Sequence, residues 1–288
     1  MSAKLSKFRQ YCWQYLFVLI VGIAGFIYAQ TRHSAVDLQE LLTSLNDAQL
    51  VELSHTFYPG IPHSTPLGNE IVESLFSHQP GLGSLGDGAR IDRYSFPGQW
   101  GTHVDSPVHF VDGLRTLDEI PLSEMIAPLV VVDIHKQSQL DPDYMVKMSD
   151  IEAWERENGR IPRSSFVALR TDWSKRWPDA QHFYNYDKAG IGHYPGWSKE
   201  VLEFLHTQRN IVAIGHETAD TDPGIFGSTG QYPLENYHLQ QNKYQIEMLT
   251  NLDRVPDSGA VIIATWPRPR SGSGFPARVF AIIPRAKL

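Results

Sequence analysis

Imidazole and carboxylate alternate in one short stretch of the chain, residues 99–109, which reads Gln-Trp-Gly-Thr-His-Val-Asp-Ser-Pro-Val-His. In an extended backbone the odd-numbered side chains share one face. His103 and Asp105 then stand about 6.6 Å apart at Cα, close enough to converge on one cation. Gln99 and His109 lie roughly 13 Å from the nearer member of that pair in a straight strand, so bringing either to the same centre requires a bend. Gly101 and Pro107 occupy the places where bends are needed. A helix is the poorer reading, because Pro107 in its interior would cost about 3 kcal/mol. On spacing alone, His-x-Asp also describes an ordinary strand end with a solvated aspartate and two surface histidines.

A second reactive stretch, residues 215–224, reads Gly-His-Glu-Thr-Ala-Asp-Thr-Asp-Pro-Gly and follows an apolar run. It lacks the ligand schedule of an EF-hand, and Asp222 before Pro223 and Gly224 is a turn former. No Gly-x-Ser-x-Gly elbow occurs and no Gly-x-Gly-x-x-Gly fingerprint follows a predicted strand, so neither a serine nucleophile nor a nucleotide cofactor is implied. The single cysteine, Cys12, excludes a disulfide framework, a cysteine zinc site and an iron–sulfur cluster. Any metal must be held by imidazole, carboxylate or amide oxygen. The formal charge of −7 has the wrong sign for a nucleic-acid partner, and the expected partner is a small molecule.

The elements that must position these residues are legible in the apolar pattern. Short runs rich in β-branched residues at 129–134, 166–169, 211–214, 260–264 and 279–283 predict buried strands. Between them, 149–158 predicts a helix with Ser149 and Glu152 as a capping box and Gly159 as its stop, and 198–208 a second helix. Ahead of these, Ser34 caps a helix whose Leu38, Leu41, Leu42 and Leu45 share a face and predict packing. Strands interleaved with helices predict an α/β fold, and the absence of a linker predicts a single domain over 34–288. The aromatic, turn-rich segment 174–197 predicts a lid, a binding loop or a partner contact. Trp100, Trp173, Tyr194 and Trp197 are candidates to wall an aromatic substrate pocket, Trp100 and Trp173 foremost, although core packing is the default for such residues. Arg268 and Arg270 are candidates for an anionic substrate group. His55, His63, His193 and His206 read as structural histidines.

The 99–109 stretch resembles the His-x-Gly-Thr-His-x-Asp-x-Pro-x-His signature of the cyclase family, metal-dependent hydrolases that include bacterial kynurenine formamidase and isatin hydrolase. Gly101, Thr102, His103, Asp105, Pro107 and His109 match. Residues 53–55, 169–171 and 246–252 resemble the family's opening strand, central strand end and late acidic segment, and the likeness spans most of residues 50–285. It implies an α/β single domain with a mixed, barrel-like β-sheet flanked by helices, of the kynurenine formamidase-like swivelling β/β/α type. It also implies hydrolysis of a C–N bond in an amide, N-formyl group or lactam, arylformamidase-like, by water activated on a divalent metal, Mn or Zn, one ion or two.

By that resemblance His103 and Asp105 are metal ligands and His109 the general acid and base. Gln99 stands where the family has a histidine; its amide oxygen is a candidate ligand that favours harder ions such as Mn²⁺, or the residue is a hydrogen-bonding neighbour of the ligands. For a second ion the family adds a later His and a Glu twelve residues on. Glu247 falls on the Glu position and Glu235 on the His position, with His238 nearby as the rival imidazole. The 215–224 stretch resembles the family's Gly-x-Asp-x-x-Ser-x-Asp loop, with Glu217 and Asp222 on its acidic positions; His216, Glu217 and Asp222 are expected to orient the ligands. The rival functions are a cyclase or lyase, a lactone hydrolase, or an exported binding protein on the same fold.

Residues 1–14 carry three cations and no acid, and 15–29 are apolar or glycine throughout, a profile that predicts a signal peptide or membrane anchor over 1–29. Export to the periplasm, or anchoring to the inner membrane by this segment alone, is the expected location. The family resemblance further implies a homo-oligomer, a homodimer or larger.

Overall fold

The computed structural model describes residues 38–63, 68–76 and 89–284. The predicted signal or anchor over 1–29 and the Ser34 cap lie outside them. No helix among the described residues is long and apolar enough to cross a membrane. The chain divides into two units, Met1–Ala48 and Gln49–Leu288. In the first, the predicted leucine-faced helix forms as α1 (Leu38–Asp47), with Leu38, Leu42 and Leu45 exposed rather than packed.

The second unit is built on one mixed nine-stranded sheet. In chain order its strands are β1 (Gln49–Glu52), β4 (His103–Asp105), β5 (Ile126–Asp133), β6 (Phe166–Arg170), β7 (Ala213–His216), β8 (Tyr244–Glu247), β9 (Ala260–Thr265), β10 (Gly274–Pro276) and β11 (Arg278–Ile283). Across the sheet the order is β1-β11-β9-β5-β6-β7-β8-β4-β10. The central β5-β6-β7-β8 pairs are parallel and the remainder antiparallel. A separate hairpin pairs β2 (Ile71–Phe76) with β3 (Ile91–Ser95). The mixed sheet flanked by helices bears out the predicted α/β class; it remains open at β1 and β10, so the barrel-like form is a half-barrel.

The all-apolar runs read as buried strands because both faces are covered. Leu129 and Val131 of β5 join one core with Ile246, Ile262 and Val279. Val130 and Val132 face the other, packed with α3 (Met148–Asn158) and α5 (Lys199–Phe204) through Ile151, Trp154, Val201 and Leu202. Three boundaries differ from expectation. Helix α3 starts at Met148, and its first turn is closed by Asp150, whose Oδ2 accepts from the Lys147 amide at 2.8 Å, not by Ser149 and Glu152. The second helix turns π-helical at Leu205–Arg209 and stops at Asn210. Its following strand begins at Ala213, since Val212 instead donates its amide to the Ser165 carbonyl at 2.9 Å. The remaining helices are α2 (His135–Leu140), α4 (Ala180–Tyr184), α6 (Gly224–Gly227) and α7 (Pro233–Gln240).

Candidate active site and metal centre

The pairing of β4 with β8 places the site. His103 is in register with Glu247 and Asp105 with Gln245, so these four side chains share one face while Val104 and Ile246 enter the apolar core on the other. The period-2 reading of His103 and Asp105 therefore holds. So does the need for bends: after β4 the chain enters a 3₁₀ turn with Pro107 in its first position, Pro107–His109, which folds His109 back until its Nε2 lies 3.9 Å from Asp105 Oδ1. Before β4, Gly101 adopts φ +60°, a left-handed conformation that a side chain would strain. Its carbonyl accepts the Nδ1 proton of His103 at 2.8 Å.

That bond decides what the other nitrogen of His103 can do. With the proton on Nδ1, Nε2 presents a lone pair, buried and without a hydrogen-bond partner, 3.4 Å from both Asp105 Oδ2 and Glu247 Oε2. A lone pair held against two carboxylates is a place for positive charge, and an imidazole anchored through its other nitrogen to a backbone carbonyl is how metal-binding histidines are oriented. Burial opposes protonation of His103, but the adjoining Asp105 carboxylate outweighs it and raises the pKa. Burial would raise Asp105 too, yet His103 and His109 hold it below the usual carboxylate range.

Two groups of donor atoms result, His103–Asp105–Glu247 and Asp105–His109–Glu235, sharing Asp105. Glu247 and Glu235 are nearly fully buried, and burial together with the crowd of neighbouring carboxylates pushes both well above the ordinary range. Four carboxylates, those of Asp105, Asp220, Glu235 and Glu247, line the cavity with two imidazoles and, among the described residues, no lysine or arginine. Such an assembly requires protons or a cation to fold, and its all-N/O donor set fits a divalent metal.

Neighbouring residues hold the donors in place. Gln245 Nε2 lies 2.9 Å from Glu235 Oε1, 2.9 Å from Glu247 Oε1 and 3.3 Å from Asp105 Oδ2. Gln99 turns its amide nitrogen, not its oxygen, into the site, 3.1 Å from Asp105 Oδ1 and 3.4 Å from His109 Nδ1. In that orientation it donates rather than ligates. Asp222 accepts from the Leu234 and Glu235 amides at 3.0 Å each, capping the first turn of α7 and so fixing Glu235. Burial raises the Asp222 pKa to about 6. His216 accepts from Trp197 Nε1 at its Nδ1, 3.3 Å away, which leaves the proton on Nε2, 3.5 Å from Glu247 Oε1. That Nε2 is buried and makes no hydrogen bond, and burial lowers the His216 pKa to about 3. Glu217 lies further off. Its carboxylate accepts from the Thr171 and Asp172 amides and the Ser174 hydroxyl at 2.7, 2.6 and 2.6 Å, tying the ends of β6 and β7 together.

Of the two candidates for the family's later histidine, Glu235 faces the site and His238 does not. His238 is wholly buried between the Tyr244 carbonyl and His206. The expected pocket walls Trp100 and Trp173 are corrected. Trp100 is stacked on His63 with no exposure, and Trp173 donates Nε1 to the Phe183 carbonyl under the Arg176 guanidinium. Their indoles fill the packing behind the motifs, and neither lines the cavity. Arg268 is spent on the Asp118 carbonyl, and Arg270 does not line the cavity either. The cavity, about 690 Å³, is walled instead by Phe110, Tyr184, Tyr186, Tyr194 and Tyr232. Three of these come from the segment 174–197, which thus lines the cavity. Gln245 and Asp220 escaped the sequence reading, although Gln245 stands two residues before Glu247 in a strand and Asp220 lies within the acidic loop.

Comparison with known proteins agrees with this geometry. The family model described as cyclase matches residues 51–223. An isatin hydrolase of Roseibium aggregatum is 36% identical over 191 residues, 65% of this chain and 72% of that protein. Two solved structures superpose with a TM-score of 0.78. One is an isatin hydrolase bound to the product analogue thioisatinate, 28% identical, covering 87% of this chain and 100% of its own. The other is isatin hydrolase A from Ralstonia solanacearum, 31% identical, covering 87% and 98%.

Proposed function

The chain belongs to the cyclase family and is a metal-dependent hydrolase of carbon–nitrogen bonds, and on that premise we propose that its substrate is a small aromatic lactam of the isatin type, opened at the ring amide. The observation that carries the reading is the orphaned Nε2 of His103 facing Asp105 and Glu247 inside an aromatic-walled cavity. His103, Asp105 and Glu247 would hold the ion, and a divalent cation there would supply Lewis-acid chemistry, making a water acidic enough to ionise near neutral pH, at about 7, and polarising the substrate carbonyl.

The chain supplies the rest. Gln99 donates to His109 Nδ1, which puts the proton of the neutral ring on Nε2, toward the cavity. His109 is 28% exposed at its side chain where His103 is 3%, so His109 is the imidazole that can meet substrate. To serve as general base the ring must present the Nε2 lone pair instead, which the Gln99 amide allows by turning its oxygen to Nδ1–H; Nε2 then takes a proton from the attacking water and returns it to the leaving nitrogen. The aromatic walls hold the ring flat beside these groups. The shared Asp105 and the Asp105–His109–Glu235 group give the alternative of a second ion, with Glu235 as its carboxylate. The carboxylate-rich donor set favours Mn²⁺ over Zn²⁺. Export of the mature chain and assembly into a homo-oligomer complete the proposal, the former supported by the cationic and apolar residues 1–29.

The test is metal analysis and turnover on the same samples of wild type, His103→Ala and Glu247→Gln, with isatin, N-formylkynurenine and a simple lactone as substrates. Wild type is expected to carry metal and open isatin, and both variants to lose metal. Equal metal in all three proteins overturns the ligand assignment. Faster turnover of N-formylkynurenine than of isatin makes the enzyme an arylformamidase instead.

A further inference from the structure

Asp220 is a cavity carboxylate with no part in the chemistry described so far. It is only partly buried, and it follows Ala219 on the loop that leaves β7. One oxygen, Oδ2, accepts the hydroxyl proton of Tyr194. No described residue donates to Oδ1. The Cβ that Gly227 lacks would stand 2.7 Å from Oδ2, so the α6 backbone closes over the back of the Asp220–Tyr194 pair. The carboxylate is thereby fixed rather than free to swing into solvent.

Its surroundings are aromatic. Tyr184 meets Tyr194 edge to face at 6.3 Å between ring centroids, and Tyr186 stacks on Tyr184 at 5.3 Å. Tyr232 closes the wall with Phe110, 5.7 Å away. Ring faces carry partial negative charge and attract cations, most of all organic ammonium groups. Asp105, Glu247 and Glu235 belong to the two groups of metal donors and Asp220 to neither, and no described lysine or arginine lines the cavity to pair with it.

We infer that the cavity selects a substrate bearing an organic cation, a protonated or quaternary amine, seated against Asp220 Oδ1 and the wall formed by Tyr184, Tyr194 and Tyr232, and that it rejects anionic counterparts. The inference rests on the hydrolase reading above and gives the class of molecule that reaction acts on. The carboxylate released by ring opening would be repelled by the same walls, which favours product release.

The experiment is a binding measurement on the metal-loaded protein by titration calorimetry, with benzyltrimethylammonium and benzenesulfonate as probes of similar size; the ammonium probe has no donor atom for the metal. Wild type is expected to bind the ammonium at least tenfold more tightly than the sulfonate. Asp220→Asn is expected to remove most of that difference, while Tyr194→Phe, which keeps the carboxylate, retains it. Circular dichroism and thermal unfolding establish that each variant is folded, and a misfolded Asp220→Asn leaves the wild-type and Tyr194→Phe ratios to decide. Equal or tighter binding of the sulfonate by wild type, or an unchanged ratio in folded Asp220→Asn, overturns the inference. Isatin turnover on the same wild-type sample separates the two readings: ring opening without an ammonium preference sinks this one alone, and an ammonium preference without ring opening sinks the lactam reading alone.

Discussion

Gln99 and His109 are ten residues apart in the chain, yet the amide nitrogen of one lies 3.4 Å from Nδ1 of the other, with Asp105 Oδ1 3.1 Å from the same nitrogen. Both protons of the Gln99 amide are committed, one to the shared carboxylate and one to the proton-carrying imidazole. Gln99→Leu removes both donors at similar volume. The ion, held by His103, Asp105 and Glu247, is expected to stay. His109 loses the contact that selects its tautomer, and kcat/KM is expected to fall about 10–100-fold, the range seen when such supporting partners are removed. Metal content measured beside the pH–rate profile checks this. Loss of metal with loss of rate would make Gln99 a ligand instead.

Gly274 is what lets Gln99 reach this place. A Cβ on Gly274 would sit 2.1 Å from Gln99 Nε2 and 3.0 Å from the Val104 carbonyl. Gly274→Ala is therefore expected to drive the Gln99 side chain out of the site and reproduce its rate loss, with about 1–3 kcal/mol of destabilisation from overpacking. In a double-mutant cycle with Gln99→Ala the two rate effects should not add, because the second substitution finds its partner already gone. Additive losses would show that Gly274 acts through β10 and not through Gln99.

How much of this was legible in the sequence follows from the range of each interaction. His103 and Asp105 sit two apart in a strand, and a two-residue period is a local property that any extended chain obeys. The return of His109 was foreseeable in outline because Pro107 forbids the strand from continuing. The β4–β8 register is a pairing across more than 140 residues, so Glu247 came only from the family likeness and Gln245 not at all. Trp100 and Trp173 were misjudged because adjacency to a motif says nothing of which way an indole points. Trp100 is covered by His63 from another segment, and Trp173 by Arg176 and Phe183 as the chain that follows it folds back. The runs at 129–134 and 260–264 were readable as strands because both faces of the central sheet are covered, whereas three-residue β4 and β10 carry no run at all.

Asp222 supplies the cap that the first turn of α7 lacks in its own sequence, since the N-cap position is Tyr232 and the next residue is Pro233. Asp222→Ala leaves the amides of Leu234 and Glu235 without their acceptor in a buried place, and a loss of about 1–2 kcal/mol is expected. Because Glu235 begins on that turn, any ion bound through Glu235 should leave first. Asp222→Asn, which keeps an acceptor oxygen, should recover most of the stability. Urea unfolding with metal stoichiometry on the three proteins decides it; normal stoichiometry in a destabilised Asp222→Ala would detach Glu235 from the centre.

The buried His206–His238 pair sets a dependence of stability on pH that is separate from the active site. His206 Nε2 donates to His238 Nδ1 at 3.1 Å, and His238 Nε2 donates to the Tyr244 carbonyl at 3.0 Å, an arrangement that requires His238 neutral, while burial disfavours the charge on His206. Burial, with Lys243 nearby, lowers the His206 pKa to about 4, against about 6.5 in an unfolded chain. Between those values the unfolded chain binds the extra proton, so stability is full above pH 6.5 and falls as pH drops toward 4. By pH 5 the loss from this one group is about 2 kcal/mol. The raised carboxylates of the centre, Asp220 at about 6 among them, act in the opposite sense, since the folded chain binds their protons more readily. Comparison with His206→Gln, which keeps a donor to His238 and cannot titrate, cancels that contribution. The stability difference between variant and wild type, from urea unfolding of the metal-free proteins, should shift by about 2 kcal/mol in the variant's favour between pH 7.5 and pH 5. Parallel pH curves for the two proteins would show that His206 carries its proton in the folded state as readily as in the unfolded one.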